Sequence, residues 1–370
     1  MAIGGILGRS LAANPALATL PLSLLIVATA VSTVIASWTM SRIGRARGFA
    51  LGAAIGAVGA LCVIAAAEVQ NFPLFCGASM CVGCAAAFSQ QYRFAATESV
   101  SAAAAPTAIS IVLVGSLAGA VLGPELVARG GAWISGIRFG GTFAAIAVCY
   151  LVASFALLGL RSLPSASGHE ATGAVRPLRT IARGRLFVAA VTGAAIGQGV
   201  MAFMMTAAPL AMHVVDQYSV EETAKIIQYH VLAMYVPSLF TGFLIGRFGV
   251  GRIMVLGTLL LGATIVAGLA GRQIMHYGAA MVALGVGWNF LYVGGTALLA
   301  RTHGPAERFR VQALNDFTIF GTAAVGSLSA GVVMQLLGWD AVLYASLAPI
   351  IVAVVAIAWA GPDREAAVAR

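Results

Sequence analysis

A small set of polar or soft side chains stands inside long apolar runs: Gln91, Gln198, Met201, Tyr235, Trp288, Asn289 and Tyr292. At membrane depth an amide or a phenol must face a cavity or a partner, so these are the positions where chemistry can be done. Gln198 has Met201 and Met205 at helical spacing on its own face, and Gln228 and Tyr235 share a face seven residues apart. Trp288 and Tyr292 are i and i+4, with Asn289 beside them. Together these residues describe an amphipathic pocket with aromatic walls and amide hydrogen bonds, which suits binding rather than bond breaking. The alternative for each amide is a bond to a neighbouring helix, worth about 0.6 kcal/mol on average. His213 and His230 flank the outer side and read as surface histidines.

No catalytic constellation accompanies this set. The sequence has no H-E-x-x-H and no nucleotide-binding glycine loop with its lysine; the only lysine is Lys225. The acid well inside a run is Asp316. Cys62, Cys76, Cys81, Cys84 and Cys149 all fall within apolar runs and read as small packing residues. Cys81 and Cys84 form a C-x-x-C with no second pair or histidine nearby, so no metal site and no cofactor is expected.

Such residues need membrane helices to hold them. Hydrophobic residues make up 60% of the 370 and charged residues 9%, against roughly 25% charged in a soluble domain. Eleven apolar runs are long enough to cross a hydrocarbon core of about 30 Å: residues 16–40, 49–67, 72–96, 103–127 and 139–160, then 186–212, 223–245, 253–271, 277–300, 311–337 and 341–360. Between the two groups lies a segment rich in Ser, Gly, Pro and Arg, which reads as a flexible linker. The expected organisation is an amino-terminal helical bundle over 1–160, a linker over 161–185, a carboxy-terminal bundle over 186–360 and a tail over 361–370. With the linker and tail cytoplasmic, sixteen of the 21 Lys and Arg residues fall inside, which sets the orientation. The net charge of +9 follows from that topology; without a basic stripe or interleaved aromatics, nucleic acid is not an expected partner.

Two loops carry an internal repeat. Arg42, Gly44 and Arg47 recur as Arg247, Gly249 and Arg252, all at one offset of 205 residues and each set between apolar runs. Duplicated halves related by an axis along the membrane normal are a known plan for secondary carriers. With six spans after a basic linker and these two loops, the chain resembles the major facilitator superfamily over its whole length. The family's loop signature is G-x-L-x-D-R-x-G-R-[KR]. Here Arg42, Gly44 and Arg45 match it, Ser37 and Ser41 replace the first glycine and the acid, and Ala46 precedes Arg47. The second copy keeps Gly242, Leu244, Arg247 and Gly249, with Gly246 in place of the acid. Gly119, Gly123 and Pro124 resemble the family's G-x-x-x-G-P element, associated with exporters, whose plain reading is close packing of small residues between helices. The stretch from Gly294 and Gly295 through Glu307 and Arg308 to Asp316 is similar to the family's junction between helices 10 and 11.

The resemblance implies an all-α integral membrane protein of two pseudo-symmetric six-helix bundles and a secondary transporter working by alternating access around a midplane site. It also implies a cytoplasmic latch, in which the Arg42, Arg45 and Arg47 loop meets Asp316 and the Arg247 and Arg252 loop meets Glu98. The cargo expected from the pocket is a small amphipathic organic molecule; a strongly anionic one is disfavoured because few buried charges are present to neutralise it. Drug or metabolite efflux and vitamin-like uptake both fit, with a transport-inactive sensor or a truncated carrier as the rival. The arginine that many proton-coupled members carry early in the fourth helix is absent, with Phe75, Cys76 and Gly77 there instead, so the coupling ion stays open. The expected setting is the lipid bilayer of a bacterial inner membrane, as a monomer.

Met1 to Gly8 spans about 12 Å, less than half the hydrocarbon thickness, so the first half is one helix short. Followed by Arg9, Asn14 and Pro15, it reads as the outer end of a first helix. The expectation is an internal start, with roughly 12 to 30 further residues encoded upstream.

Overall fold

The computed structural model describes residues 7–8, 10–13, 17, 20–130, 133, 139–160 and 175–361. Among these, every long element is a helix, as a bilayer requires of backbone that cannot reach water. In chain order they are α1 (Leu20–Ile43), α2 (Arg45–Glu68), α3 (Phe72–Ser89), α4 (Tyr92–Glu98), α5 (Ala105–Gly130), α6 (Gly140–Leu158) and α7 (Leu178–Ala182). There follow α8 (Arg185–Pro209), α9 (Val220–Tyr235), α10 (Ser238–Phe248), α11 (Val250–Leu269), α12 (Ile274–Leu299), α13 (Arg308–Ala345) and α14 (Leu347–Ala360). Among the described residues, eight stretches qualify as crossings by length and apolar composition, or nine if the bent pair α9 and α10 is one span. The run Arg308–Ala360 counts once among them, yet its 53 residues exceed twice a bilayer's thickness, and Gly338 breaks its helical backbone at φ 81°.

The chain divides into two compact units. The first comprises Met1–Tyr92, Val121–Gly173 and Arg308–Gly321; the second comprises Arg93–Ala120, Ala174–Glu307 and Thr322–Arg370. In the first unit α2 packs against α3 and α6, and α1 packs on α3. Small residues let these backbones approach: a Cβ at Gly56 would lie 2.7 Å from the Tyr150 ring. The described part of the amino-terminal segment adds Leu7, 2% exposed, to a cluster with Val63, Ala66, Ala67, Phe75 and Ala78. Residues 1–6 and 9, on which much of the expected first-helix end falls, lie outside the described residues.

Both glycines of the repeat perform the same backbone task. Gly44, between α1 and α2, takes φ 83°, and Gly249, between α10 and α11, takes φ 87°. Each N–H reaches back four residues, Gly44 to Met40 O and Gly249 to Ile245 O, both at 2.9 Å. A side chain at such a φ is strained, so glycine recurs where the chain must turn between two helices.

In the second unit α12 packs against α8, α9 and α11, and every residue from Gly287 to Leu299 is buried. A helix apolar on all sides can be enclosed in this way, and it carries Trp288, Asn289 and Tyr292 with it. The break between α9 and α10 is a bend of 41° with Pro237 within it. Proline removes one ladder hydrogen bond and clashes with the preceding turn. Of the expected linker, residues 161–174 lie outside the described residues. The described part is held in place: Arg176 pairs with Glu307, and Ile181 of α7 is buried.

Candidate functional site

At 1.5 Å per residue, Gln198 lies about 20 Å along α8 from Arg185, and Trp288 about 21 Å along α12 from Ile274. Both depths fall well inside a 30 Å core. The two side chains meet: Trp288 Nε1 donates to Gln198 Oε1 at 2.6 Å. Tyr292, one turn beyond, stacks on Trp288 with centroids 4.7 Å apart and planes 18° from parallel. Tyr235 meets Trp288 edge-on at 5.9 Å. Helical spacing thus becomes a real aromatic wall with one amide held at its end. Met201 is half-buried on the Gln198 face of α8.

Arg93, not foreseen as part of this group, joins it. Its guanidinium carbon lies 4.3 Å from the Tyr292 ring centroid and 4.6 Å from that of Phe94, and the residue is 2% exposed. Facing a π cloud is one way a buried cation is tolerated. A charged residue directly after Gln90, Gln91 and Tyr92, at the close of an apolar run, was the available signal.

Asn289 has a different surrounding. Its Nδ2 donates to Met234 O and Ser238 Oγ, each at 2.7 Å, and its Oδ1 accepts from Thr241 Oγ1 at 2.7 Å. The whole amide is engaged at the bend between α9 and α10, where the helix ladder is interrupted. His230, expected on the surface, is instead fully buried: α9 turns it toward α12, and its Nδ1 lies 2.8 Å from Met281 O. His213 is exposed, with Nδ1 2.8 Å from Tyr218 O.

In the first unit, Gln91, expected among the pocket residues, sits in a buried polar cluster. Its Nε2 donates to Ser37 Oγ at 3.1 Å and to Asp316 Oδ2 at 2.9 Å. Arg45 Nη1 donates to Gln91 Oε1 at 3.1 Å and Nη2 to Gln312 Oε1 at 2.7 Å, while Phe309 lies under the guanidinium at 4.9 Å. Asn315 Nδ2 donates to Asp316 Oδ1 at 2.9 Å. Asp316 is fully buried and Arg45 8% exposed, so both charges are withdrawn from water and need polar partners such as these. Ser37, Gln312 and Asn315 were not foreseen as parts of it.

The remaining loop residues are placed as follows. Arg42, Arg47, Arg247 and Arg252 are exposed, with Arg42 over Trp38 at 5.6 Å and Arg247 over Phe248 at 5.7 Å. Glu98 is half-buried, near enough to His303 to favour its protonated form, although burial dominates and pushes that imidazole below its ordinary range. At Gly119 and Gly123 a Cβ would meet nothing within 4 Å among the described residues. The side chain of Pro124 lies outside the described residues. No group of three or more His, Cys, Asp or Glu that could hold a metal occurs among the described residues.

Comparison with known proteins places this geometry in context. The family model described as Major Facilitator Superfamily matches residues 1–237. The riboflavin transporter RfnT of Brucella anthropi is 39% identical over 345 residues, covering 92% of this chain and 86% of its own. The uncharacterized MFS-type transporter YdeG of Bacillus subtilis is 28% identical over 347 residues, covering 90% and 80%. Among solved structures, the Escherichia coli fucose:proton symporter FucP matches with a TM-score of 0.69 at 16% identity, over 96% of this chain and 92% of its own. The human organic anion transporter MFSD10 matches with a TM-score of 0.72 at 16% identity, over 91% and 83%. At such identities the structural matches speak for the fold alone.

Proposed function

We propose, from the premise that this chain belongs to the major facilitator superfamily, that it is a secondary transporter of riboflavin or a closely similar flat heterocycle. The observation that carries the reading is the 39% identity to a riboflavin transporter across 92% of the chain. The pocket chemistry is in keeping with it. Riboflavin pairs a flat tricyclic ring with a polar imide edge and a hydroxylated tail. Trp288, Tyr292 and Tyr235 offer stacking and edge contacts, and Gln198 offers an amide that both donates and accepts. Alternating access would expose this site to each side of a bacterial inner membrane in turn, with the arginine-rich loops in the cytoplasm. The buried cluster of Arg45, Gln91, Gln312 and Asp316 would act as the latch of the cytoplasmic side. In this reading the protein is a carrier, not an enzyme.

The deciding measurement is radiolabelled riboflavin movement into proteoliposomes, with and without a proton or sodium gradient. Saturable flux above that of protein-free vesicles is expected. A specific riboflavin-induced thermal shift with no flux would instead favour a sensor, and the absence of both would reject riboflavin as cargo.

A further inference from the structure

Four exposed arginines of the second unit stand at one end of it. Arg179 belongs to α7, Arg183 follows that helix, Arg185 opens α8 and Arg252 lies in the first turn of α11. Gly193 fixes the common end: a Cβ there would lie 2.6 Å from Met254 Cε and 3.7 Å from Ile357 Cδ1, so the starts of α8 and α11 meet the close of α14. Among the described residues none of the four makes an ion pair or a side-chain hydrogen bond. Glu307, Asp216, Glu221 and Asp340 of the same unit are engaged by Arg176, Tyr277, Lys225 and Arg272. Arg185 has a further setting, its guanidinium carbon lying 5.3 Å from the Trp359 ring centroid. Trp359 closes a stripe on α14: Ile351, Val355 and Trp359 are four residues apart and exposed, while Ala353, Ala356 and Ile357 between them turn inward. At 1.5 Å per residue the stripe is about 12 Å long, and a cation covers its end.

We propose that this edge of the second unit binds an anionic phospholipid, with its phosphate on Arg185 and Arg183 and an acyl chain along Ile351, Val355 and Trp359. The site is independent of the cargo. Arg183 and Arg185 are two residues apart, so one headgroup can reach both, and phosphate oxygens suit the guanidinium fork bidentately. Arg179 and Arg252 add to the attraction, which basic residues beside a span exert on anionic lipid. A zwitterionic lipid brings a phosphate too, but also a cation that four arginines repel. A free anion would satisfy the arginines and leave the stripe without a use, whereas a lipid carries phosphate and tail in one molecule. Tryptophan at the headgroup level is an ordinary interfacial anchor, and Arg185 over its ring marks where the headgroup begins. Topology alone would be served by arginines anywhere in the segment; it does not require one at the head of an apolar stripe.

Quenching of Trp359 emission by lipids with brominated acyl chains tests this on the full chain in phosphatidylcholine nanodiscs, the Trp359 share being the difference between the parent and Trp359→Phe. Brominated phosphatidylglycerol is expected to half-quench Trp359 at a mole fraction about tenfold below that of brominated phosphatidylcholine. Arg185→Gln should lower this preference about fivefold, which is about 1 kcal/mol, and Arg183→Gln combined with it should leave the two lipids equal. Arg185→Lys keeps the charge without the fork and should fall between the parent and Arg185→Gln. As a second readout, phosphatidylglycerol should raise the melting temperature of the detergent-purified parent and not that of the double variant. Equal quenching by both lipids in the parent, or a preference that survives in the double variant, overturns the assignment. So does displacement of the lipid by inorganic phosphate at matched ionic strength as complete as that by unbrominated phosphatidylglycerol, which would make the site one for free anions. A preference that arises only when Asp363→Asn and Glu365→Gln remove the tail's acids overturns it as well, because the arginines of the parent would then serve the tail.

Discussion

Arg45 and Gln312 are 267 positions apart in sequence, and their side chains meet at 2.7 Å in a place closed to water. Arg45 follows the repeated glycine turn and Gln312 opens α13, so a loop signature and a distant helix start are tied by one buried donor. Hydrogen bonds to a charged group contribute about 1.5 to 3 kcal/mol each, and leaving their acceptors buried without a donor costs a similar amount. Arg45→Met is therefore expected to lower the melting temperature of the purified protein and to reduce riboflavin flux. A variant as stable and as active as the parent would show that this cluster is neither a brace nor a latch.

Gln91 and Asp316 make a sharper test, because the amide donates directly to the carboxylate at 2.9 Å. A double-mutant cycle with Gln91→Leu and Asp316→Asn should give a coupling of about 0.5 to 3 kcal/mol in thermal stability. Additive effects would mean that each residue answers to other partners.

Trp288→Phe keeps a ring for stacking and removes the indole N–H that Gln198 accepts. One ordinary hydrogen bond is worth about 0.5 to 1.5 kcal/mol. The KM for riboflavin should rise about two- to tenfold with kcat nearly unchanged, the signature of lost uniform binding. An unchanged KM would place the substrate elsewhere.

Asn289→Leu should behave differently. Its amide serves Met234 O, Ser238 Oγ and Thr241 Oγ1 at the bend of a broken span, and each group left unbonded costs about 1 to 3 kcal/mol. Folded yield and melting temperature should fall, while whatever protein survives keeps a near-parental KM. A stable variant with a raised KM would return Asn289 to the substrate site.

Glu307 lies outside the spans and accepts from Arg176 and from Gly304 N; these bonds hold its carboxyl down to about 2, from an ordinary 4.5. A depressed carboxylate contributes stability that is fully present above its ordinary value and is lost as pH falls from about 4.5 toward 2. Glu307→Gln should thus lower the melting temperature at pH 7 and flatten its decline across that acid window. An identical acid profile in parent and variant would show that the pairing contributes nothing to folding.

The spans were legible because twenty consecutive apolar residues have few other uses, and the described residues of those runs are mostly helical, some of the runs being broken into two helices. The glycine turns were legible because backbone at positive φ leaves little choice of residue. The contact of Trp288 with Tyr292 followed from i and i+4 spacing on one helix. What spacing within a helix could not show is which helix stands opposite. Gln91 was grouped with a pocket because its partner Asp316 is 225 positions away. Asn289 gave the same signal as a pocket amide because repairing a bent helix and binding a ligand both require a polar group at depth. His230 was read as a surface residue because its distance from the run's end hid the face that α9 turns inward. Arg93 gave no pocket signal because an arginine at the close of an apolar run ordinarily serves topology.

Gly44 also carries a consequence about handedness. Its φ of 83° and ψ of 166° fall in a region open almost solely to glycine, where an ordinary residue costs about 1 to 3 kcal/mol. Yet a Cβ added there would meet nothing within 4 Å, so room is not the obstacle. Reflected in a mirror, the same backbone is the common extended conformation. D-alanine placed at this turn by semisynthesis should therefore be accepted where L-alanine is resisted. Gly249, at φ 87° and ψ 148°, stands at the matching turn, although the acid of the signature has become Ser41 in one copy and Gly246 in the other. The two copies share an achiral residue at a turn of the wrong hand for L-amino acids, and the charges around it are free to differ.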